Sequence, residues 1–447
     1  MAVPHAQNQY LDRYAEPEAR ELGALRRQFG HVLTIPAYGE GRELLQALAS
    51  IPAGVLGDVL IVLVINGRAD SPSPMKAANL AMLEQLRANG SQSIPLAPNA
   101  AVHEHPQGAL LLIDRATRGH ELPPRHGVGL ARKIAADIAL ALWSEGNVAS
   151  PWIHCTDADV VLPTDYFEAA TAEVAGDSDA ALLYPFRHVD ATREALEYEA
   201  SLRYYVAGLR FAGSPYAFHA IGSTLAVHAS AYARVRGFPK RLAGEDFYLL
   251  NKLAKVGTIR SLDGEPIRLS ARASKRTPFG TGRALERARD HERDLAPLCV
   301  YHPDVFSDLG AWLQTLDALA EAGDSADPTD LLAKQIGAWP CADVQRLRLQ
   351  LDQTGAWAAA RIGVQRCRTP ITRAKHLHGG FDAFRTLKLI HALRAGGLTS
   401  IPLREALSKA PFVSVPDGAP LEEVREQLAN AERKSEQSRV SNQNLRL

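Results

Sequence analysis

The stretch Val59-Leu60-Ile61-Val62-Leu63-Val64-Ile65 is apolar throughout, with no polar residue to face water. It has strand length, far short of the roughly 18 residues that cross a bilayer. An alternating pattern would leave one face solvated. A continuous one needs cover on both faces, as in a parallel sheet. The chain repeats the device. Apolar runs at His31–Pro36, Asp58–Asn66, Ala109–Asp114, Pro151–Thr156, Ala180–Phe186 and Ser223–His228 are separated by helical patterns at Glu40–Ser50, Met75–Asn89, Gly129–Glu145, Thr164–Ala175 and Ala191–Arg210. Such strand–helix repetition predicts an α/β domain with a mostly parallel, Rossmann-like sheet. From Ala284 onward the pattern turns helical, broken by Pro and Gly: Ala311–Ala322, Ala342–Ile362, Asp382–Ala395 and a polar tail from Leu421. The expected organisation is a lead-in over 1–30, the α/β domain over 31–283 and a helical region over 284–447.

Composition narrows the classes. Hydrophobic residues make up 46% and charged ones 22%, which excludes a disordered or collagen-like chain. Lys+Arg and Asp+Glu both total 50, so any basic site must be local. Cys155, Cys299, Cys341 and Cys367 form no CxxC pair. Their spacing argues against a zinc module and a disulfide scaffold and fits a reducing, cytoplasmic setting. The first residues include His5, Asp12, Arg13, Glu16 and Glu18 and lack the apolar core of a signal peptide.

In a doubly wound sheet, ligands bind beyond the carboxyl ends of the strands. The first run ends in Pro36-Ala37-Tyr38-Gly39-Glu40, also readable as a plain strand–helix turn. The second ends in Asn66-Gly67-Arg68-Ala69-Asp70, where Asn66 and Asp70 suit a base or ribose, or simply a turn. After the third, Gly127-Val128-Gly129-Leu130-Ala131-Arg132 fails the dinucleotide fingerprint, because its sixth position is Arg. A helix start carrying Arg132 and Lys133 reads either as a phosphate site or as a solvated basic face.

The fourth run leads straight into Asp157-Ala158-Asp159. Two carboxylates two positions apart at a strand end can aim at one divalent cation, and hard oxygen ligands suit magnesium or manganese. An Asx turn is the alternative. Glu245 and Asp246 follow Gly244 at the start of an amphipathic pattern. They read as helix-capping acids or as a general base. Arg268–Arg283 carries Arg272, Lys275 and Arg276 with no acid, a loop able to clamp a diphosphate or an ordinary exposed one.

In order and spacing these segments resemble a GT-A glycosyltransferase, most closely glycosyltransferase family 2, over roughly His31 to Gly282. The resemblance runs through Pro36…Glu40, Asn66–Asp70, Ala131-Arg132, Asp157-Ala158-Asp159, Gly237-Phe238 and Gly244-Glu245-Asp246. It implies a hexosyltransferase-like enzyme that moves a sugar from a nucleotide-diphosphate donor to a hydroxyl of a small molecule, glycan or lipid-linked acceptor. Donor contacts would come from Pro36, Tyr38, Glu40, Asn66, Asp70, Arg132, Asp157, Arg272, Lys275 and Arg276. Asp157 and Asp159 would hold Mn or Mg. Asp246, with Glu245 beside it, would deprotonate the acceptor with inversion at the anomeric carbon. Tyr184, His219 and Gly222 would lie on the acceptor side. A retaining transferase of the same fold and a silent nucleotide-sugar binder remain alternatives. The chain departs from many members by having Asn66-Gly67-Arg68-Ala69-Asp70 in place of Asp-Asp-Gly-Ser, and it lacks the QxxRW motif of processive membrane synthases.

No nucleic-acid partner is expected. The region Arg361–Arg404 has nine Arg/Lys against the single acid Asp382. It reads as a solvated helical face, or as a contact for anionic lipid at the inner membrane surface or for an anionic acceptor. His376-Leu377-His378-Gly379-Gly380 reads as a loop.

Overall fold

A computed structural model of the chain describes residues 5–89, 93–172, 178–189, 192–271, 297–416 and 418–444. The chain divides into two compact units, Met1–Asp190 with Ala220–Ala284 and Ala191–His219 with Leu285–Leu447.

The first unit holds strands β1 (His31–Ala37), β2 (Val59–Asn66), β3 (Ile94–Ala97), β4 (Ala100–His105), β5 (Gly108–Arg115), β6 (Trp152–Cys155), β7 (Val160–Val161), β8 (Asp179–Leu183), β9 (Phe186–His188), β10 (Leu225–His228), β11 (Thr258–Ser261) and β12 (Ile267–Leu269). Its helices are α1 (His5–Arg13), α2 (Glu18–Glu21), α3 (Arg42–Ala49), α4 (Ser73–Asn89), α5 (Val128–Ser144), α6 (Tyr166–Ala172), α8 (Ala229–Arg234) and α9 (Glu245–Leu253). The intervening helix α7 (Arg193–Phe211) belongs to the second unit.

Nine strands form one sheet in the order β11-β8-β10-β6-β1-β2-β5-β4-β3. β2 runs parallel to both β1 and β5, and its apolar residues Val59–Ile65 are all at most 1% exposed. Burying such a side chain contributes about 1.5–3 kcal/mol, so this strand anchors the sheet. The order β5-β2-β1-β6 makes β1 the point where winding reverses, the place at which sheets of this kind bind ligands beyond their carboxyl edge. β10 is antiparallel to both β6 and β8. The segment preceding β10 therefore lies at that same edge. The hairpin β3–β4, which extends the sheet beyond β5, has no counterpart in the sequence reading. A second sheet, β7-β12-β9, has three strands.

α5 is buried continuously from Gly129 to Leu142. A helix with apolar residues on every side must be enclosed, and α5 packs against β1, β2 and β6. Three of its buried residues are ionisable: Arg132, Lys133 and Asp137. Asp137 accepts from Tyr10 Oη (2.6 Å), Tyr232 Oη (2.8 Å), Glu16 N (2.8 Å) and Lys133 Nζ (2.8 Å). This network ties α1 and α8 to α5.

The second unit holds β13 (Cys299–Val300), α10 (Asp304–Ala322), α11 (Pro328–Ile336), α12 (Val344–Gln353), α13 (Ala356–Gln365), α14 (Pro370–Gly380), α15 (Ala383–Ala395), β14 (Ile401–Pro402), α16 (Leu403–Lys409) and α17 (Leu421–Asn444). The sequence reading placed α7 in the α/β domain. It packs instead with the helical unit, because Gly208 leaves room for the Phe306 ring, Tyr204 Oη donates to the Tyr301 carbonyl and Arg203 pairs with Glu432 at 2.6 Å. The expected helix over 342–362 is two helices, separated where Gly355 takes a φ of +74°. His376–Gly380 is not a loop. It is the last turn of α14, a helix opened by a Thr369–Thr372 capping box, and His378 pairs with Asp317 at 2.6 Å.

Candidate active site

β6 and β7 fix the Asp157-Ala158-Asp159 turn from both sides. Thr156 N–H donates to the Thr34 carbonyl of β1. Val160 and Val161 pair with Leu269 and Arg268 of β12. Ala158 is buried at 2%, while Asp157 and Asp159 are partly exposed. Ala158 and Asp159 form the turn that joins the two strands.

Arg132 organises the acids. The residue is 2% exposed. Its Nη2 donates to Asp157 Oδ1 (2.5 Å), its Nε to Glu245 Oε1 (3.0 Å) and its Nη1 to the Thr156 carbonyl (3.2 Å). Burial works against the guanidinium's charge, but Asp157 and Glu245 outweigh it and hold the group firmly protonated. A Cβ on Gly222 would come within 2.7 Å of Arg132 Nη2, so glycine leaves the room the guanidinium occupies. The phosphate-site and donor-contact readings of Arg132 therefore give way to a positioning role. Lys133 is likewise committed, to Asp137 and Tyr10. The glycines before them serve close packing, since Gly129 N–H donates to the Arg241 carbonyl and a Cβ there would meet Pro239 O at 2.5 Å.

Glu245 and Asp246 differ sharply although adjacent. Glu245 is 4% exposed and held by Arg132. Asp246 is partly exposed, and its Oδ1 accepts from Phe247 N (2.7 Å). Desolvation, then the Glu245 charge, pushes its carboxyl up to about 7; Arg132 opposes this, and Asp157 adds to it. Asp157 and Asp246, far apart in sequence, are close enough to feel each other's charge.

The other strand ends surround the same edge. Asn79 of α4 ties two of them together, its Oδ1 accepting from Gly39 N (2.8 Å) and its Nδ2 donating to the Asn66 carbonyl (2.9 Å). Sequence reasoning missed Asn79, which stands inside an otherwise ordinary helical pattern. Pro36 is buried in β1, Tyr38 is partly buried and Glu40 is 9% exposed. Asp70 is exposed and paired with Arg68 at 2.7 Å, which holds its carboxyl below the ordinary range. Two buried acceptors, Asn66 Oδ1 and Thr156 Oγ1, have no hydrogen-bond partner among the described residues. Such groups call for an occupant.

Two of the residues expected on the acceptor side have partners within the fold. Tyr184 is 3% exposed, donates to the Tyr166 carbonyl (3.1 Å), meets His154 Nδ1 (3.0 Å) and stacks on Tyr166, so it is a core residue. His219 belongs to the helical unit and pairs with Glu432 there (2.8 Å). Arg272, Lys275 and Arg276 lie outside the described residues.

No protein-family model and no curated protein matches the sequence. Solved structures similar to it include S. aureus TarS 1-349, at 12% identity over 91% of this chain and 92% of that one, with a TM-score of 0.36. TarS 1-349 in complex with UDP-GlcNAc gives 11% identity, 91% and 92% coverage and a TM-score of 0.38. The mannosyltransferase PcManGT from Pyrobaculum calidifontis, in complex with GDP-Man and Mn2+, gives 16%, 84%, 93% and 0.34. At these TM-scores neither substrate nor mechanism transfers to this chain.

Among the described residues no group of three or more His, Cys, Asp and Glu could hold a metal ion. Asp157 and Asp159 are nevertheless hard oxygen donors. Magnesium-like ions commonly take only one or two carboxylates, with phosphate oxygens and water completing the shell. The donor set therefore fits a cation that arrives with a diphosphate. No described helix is long and apolar enough to cross a membrane.

Proposed function

We propose that the first unit is a glycosyltransferase of GT-A type that moves a sugar from a nucleoside-diphosphate donor to an acceptor hydroxyl. The observation that carries this reading is the Arg132 bridge, which sets Asp157 at the end of β6 against Glu245 and Asp246 at the start of α9. The winding reversal at β1 is where a sheet of this kind would take a nucleotide. The unpartnered Asn66 Oδ1 suits an N–H of the base.

Asp157 and Asp159 would hold Mn or Mg with the diphosphate, and the cation would offset the charge that grows on the leaving group. Arg132 fixes the Asp157 carboxylate and cancels part of the local negative charge. Asp246 takes the proton of the acceptor hydroxyl. A carboxyl near 7 is partly ionised at neutral pH yet far more basic than an ordinary aspartate, which suits general-base work. With Asp246 as base the transfer would proceed with inversion; a retaining transferase is the alternative.

The test is Asp246→Asn. Release of nucleoside diphosphate from a panel of sugar nucleotides with Mn should fall by about 10²–10⁴-fold, the usual contribution of a general base. Calorimetric binding of the nucleoside diphosphate should persist. Loss of that binding in a folded variant, or undiminished turnover, would contradict the role.

A further inference from the structure

The helical unit contains a pocket of about 310 Å³, within the roughly 300–1,000 Å³ typical of small-molecule sites. Its floor is apolar: Trp312, Leu316, Leu377 and Phe381 are each at most 4% exposed. Its rim carries Arg366, His376 and Arg385, all exposed. Neither arginine side chain has a hydrogen-bond or acidic partner among the described residues, and no acid lines the pocket. The nearest acid in sequence, Asp382, caps α15 by accepting from Arg385 N.

The surroundings of the pocket point to an anionic occupant. Around the mouth, the segment from Gln353 to Phe381 contains no Asp or Glu, while Arg366, Arg368 and Lys375 are exposed; Arg361, by contrast, lies near enough to Asp327 to lower its carboxyl. Large apolar side chains stand among them, with Ile362 52% exposed at the pocket and Ile371 82% exposed on α14. Arg373 does not share in this surface, because it donates to the Ala320 and Glu321 carbonyls at the end of α10.

We propose that this pocket seats an anionic phospholipid of a membrane surface. The phosphate lies against Arg366 and Arg385, and one acyl chain enters over the floor of Leu316, Leu377 and Phe381. The chemistry is specific to an amphiphile. A free phosphate would leave the apolar floor unmatched, and a neutral lipid would leave two arginines without a counter-charge. The site is independent of the transfer reaction and survives if that reading fails.

The experiment is co-sedimentation of the full-length protein with vesicles of phosphatidylcholine alone or mixed with phosphatidylglycerol. Binding should require the anionic lipid. Each basic side chain at such a surface contributes about fivefold, so Arg366→Ala with Arg385→Ala should lower partition about 30-fold. Ala359→Phe narrows the pocket without changing charge and should also weaken binding. Should that variant misfold by circular dichroism, Ile362→Ser, an uncharged change at a 52% exposed position on the pocket, serves instead and should likewise weaken binding. Equal binding to neutral vesicles would overturn the proposal. So would unchanged binding after Ala359→Phe in a folded protein, which would leave only a charged surface. Displacement from vesicles by millimolar inorganic phosphate at constant ionic strength would assign the site to free phosphate and overturn it too.

Discussion

Arg132 and Arg366 carry the same side chain in two opposite settings. The first is enclosed in the α/β unit, with each guanidinium nitrogen donating to an acid or a carbonyl. The second stands on the helical unit in a segment without acids, at the rim of an apolar pocket. Enclosure turns a cation into scaffolding, since an unpaired buried charge is untenable. Exposure without counter-charge leaves a cation available to something anionic from outside. The carboxyl edge of the sheet thus offers acids oriented by a hidden arginine, and the helical unit offers open arginines over a greasy floor.

That contrast can be broken by substitution. Arg132→Met should cost about 3–5 kcal/mol in urea unfolding, because Glu245 is left buried without a partner. Arg366→Met should stay within about 0.5 kcal/mol, as surface changes usually do. Equal effects would erase the distinction. A smaller effect is expected from ligand binding. Nucleoside diphosphate with manganese at about 100-fold over its Kd should stabilise the protein by about 2.7 kcal/mol in a thermal-shift assay. Asp159→Ala should lose the manganese-dependent part of that gain, and an unchanged metal increment would remove Asp159 from the ligand set.

Buried groups of the α/β unit also set its pH response. Burial pushes His31 down to about 4, and His154 is lowered as well, first by burial and then by its neighbour His31. Both are neutral in the fold, whereas the unfolded chain takes up protons below about 6.5. Their stabilising contribution is therefore complete above that pH and is lost as pH falls toward 4. His31→Gln should flatten the decline in stability between pH 7 and 5 by roughly 1–2 kcal/mol. An unchanged slope would show that His31 does not stay neutral. Smaller than the histidine effect, Tyr184→Phe should cost about 1 kcal/mol of stability and leave transfer intact, as expected of a core hydroxyl. A selective loss of turnover would return Tyr184 to the acceptor side.

Much of this arrangement was legible in sequence, for identifiable reasons. The unbroken run Val59–Ile65 demands cover on both faces, so β2 and its parallel neighbours follow from it. Asp157 and Asp159 stand out because they end such a run. Arg132 was visible but misread. A charged residue in a helix as apolar as Val128–Ser144 must be paired inside the fold, and that signal outweighs its resemblance to a phosphate-facing cation. Asn79 carries no such signal, since its two bonds reach loops far away in the chain. The membership of α7 was hidden too. Its amphipathic pattern marks a helix with one buried face but does not say what Tyr204 and Gly208 will meet.

In the proposed reaction Asp246 acts as a base whose affinity for its proton is raised by its surroundings. The direct test is the pH dependence of donor turnover in the wild type and in Glu245→Gln. Wild-type turnover should rise through an inflection near 7, where the Asp246 carboxyl ionises. Removing the adjacent Glu245 charge should move that inflection to lower pH. A profile without an inflection near 7, or one that Glu245→Gln leaves in place, would contradict it.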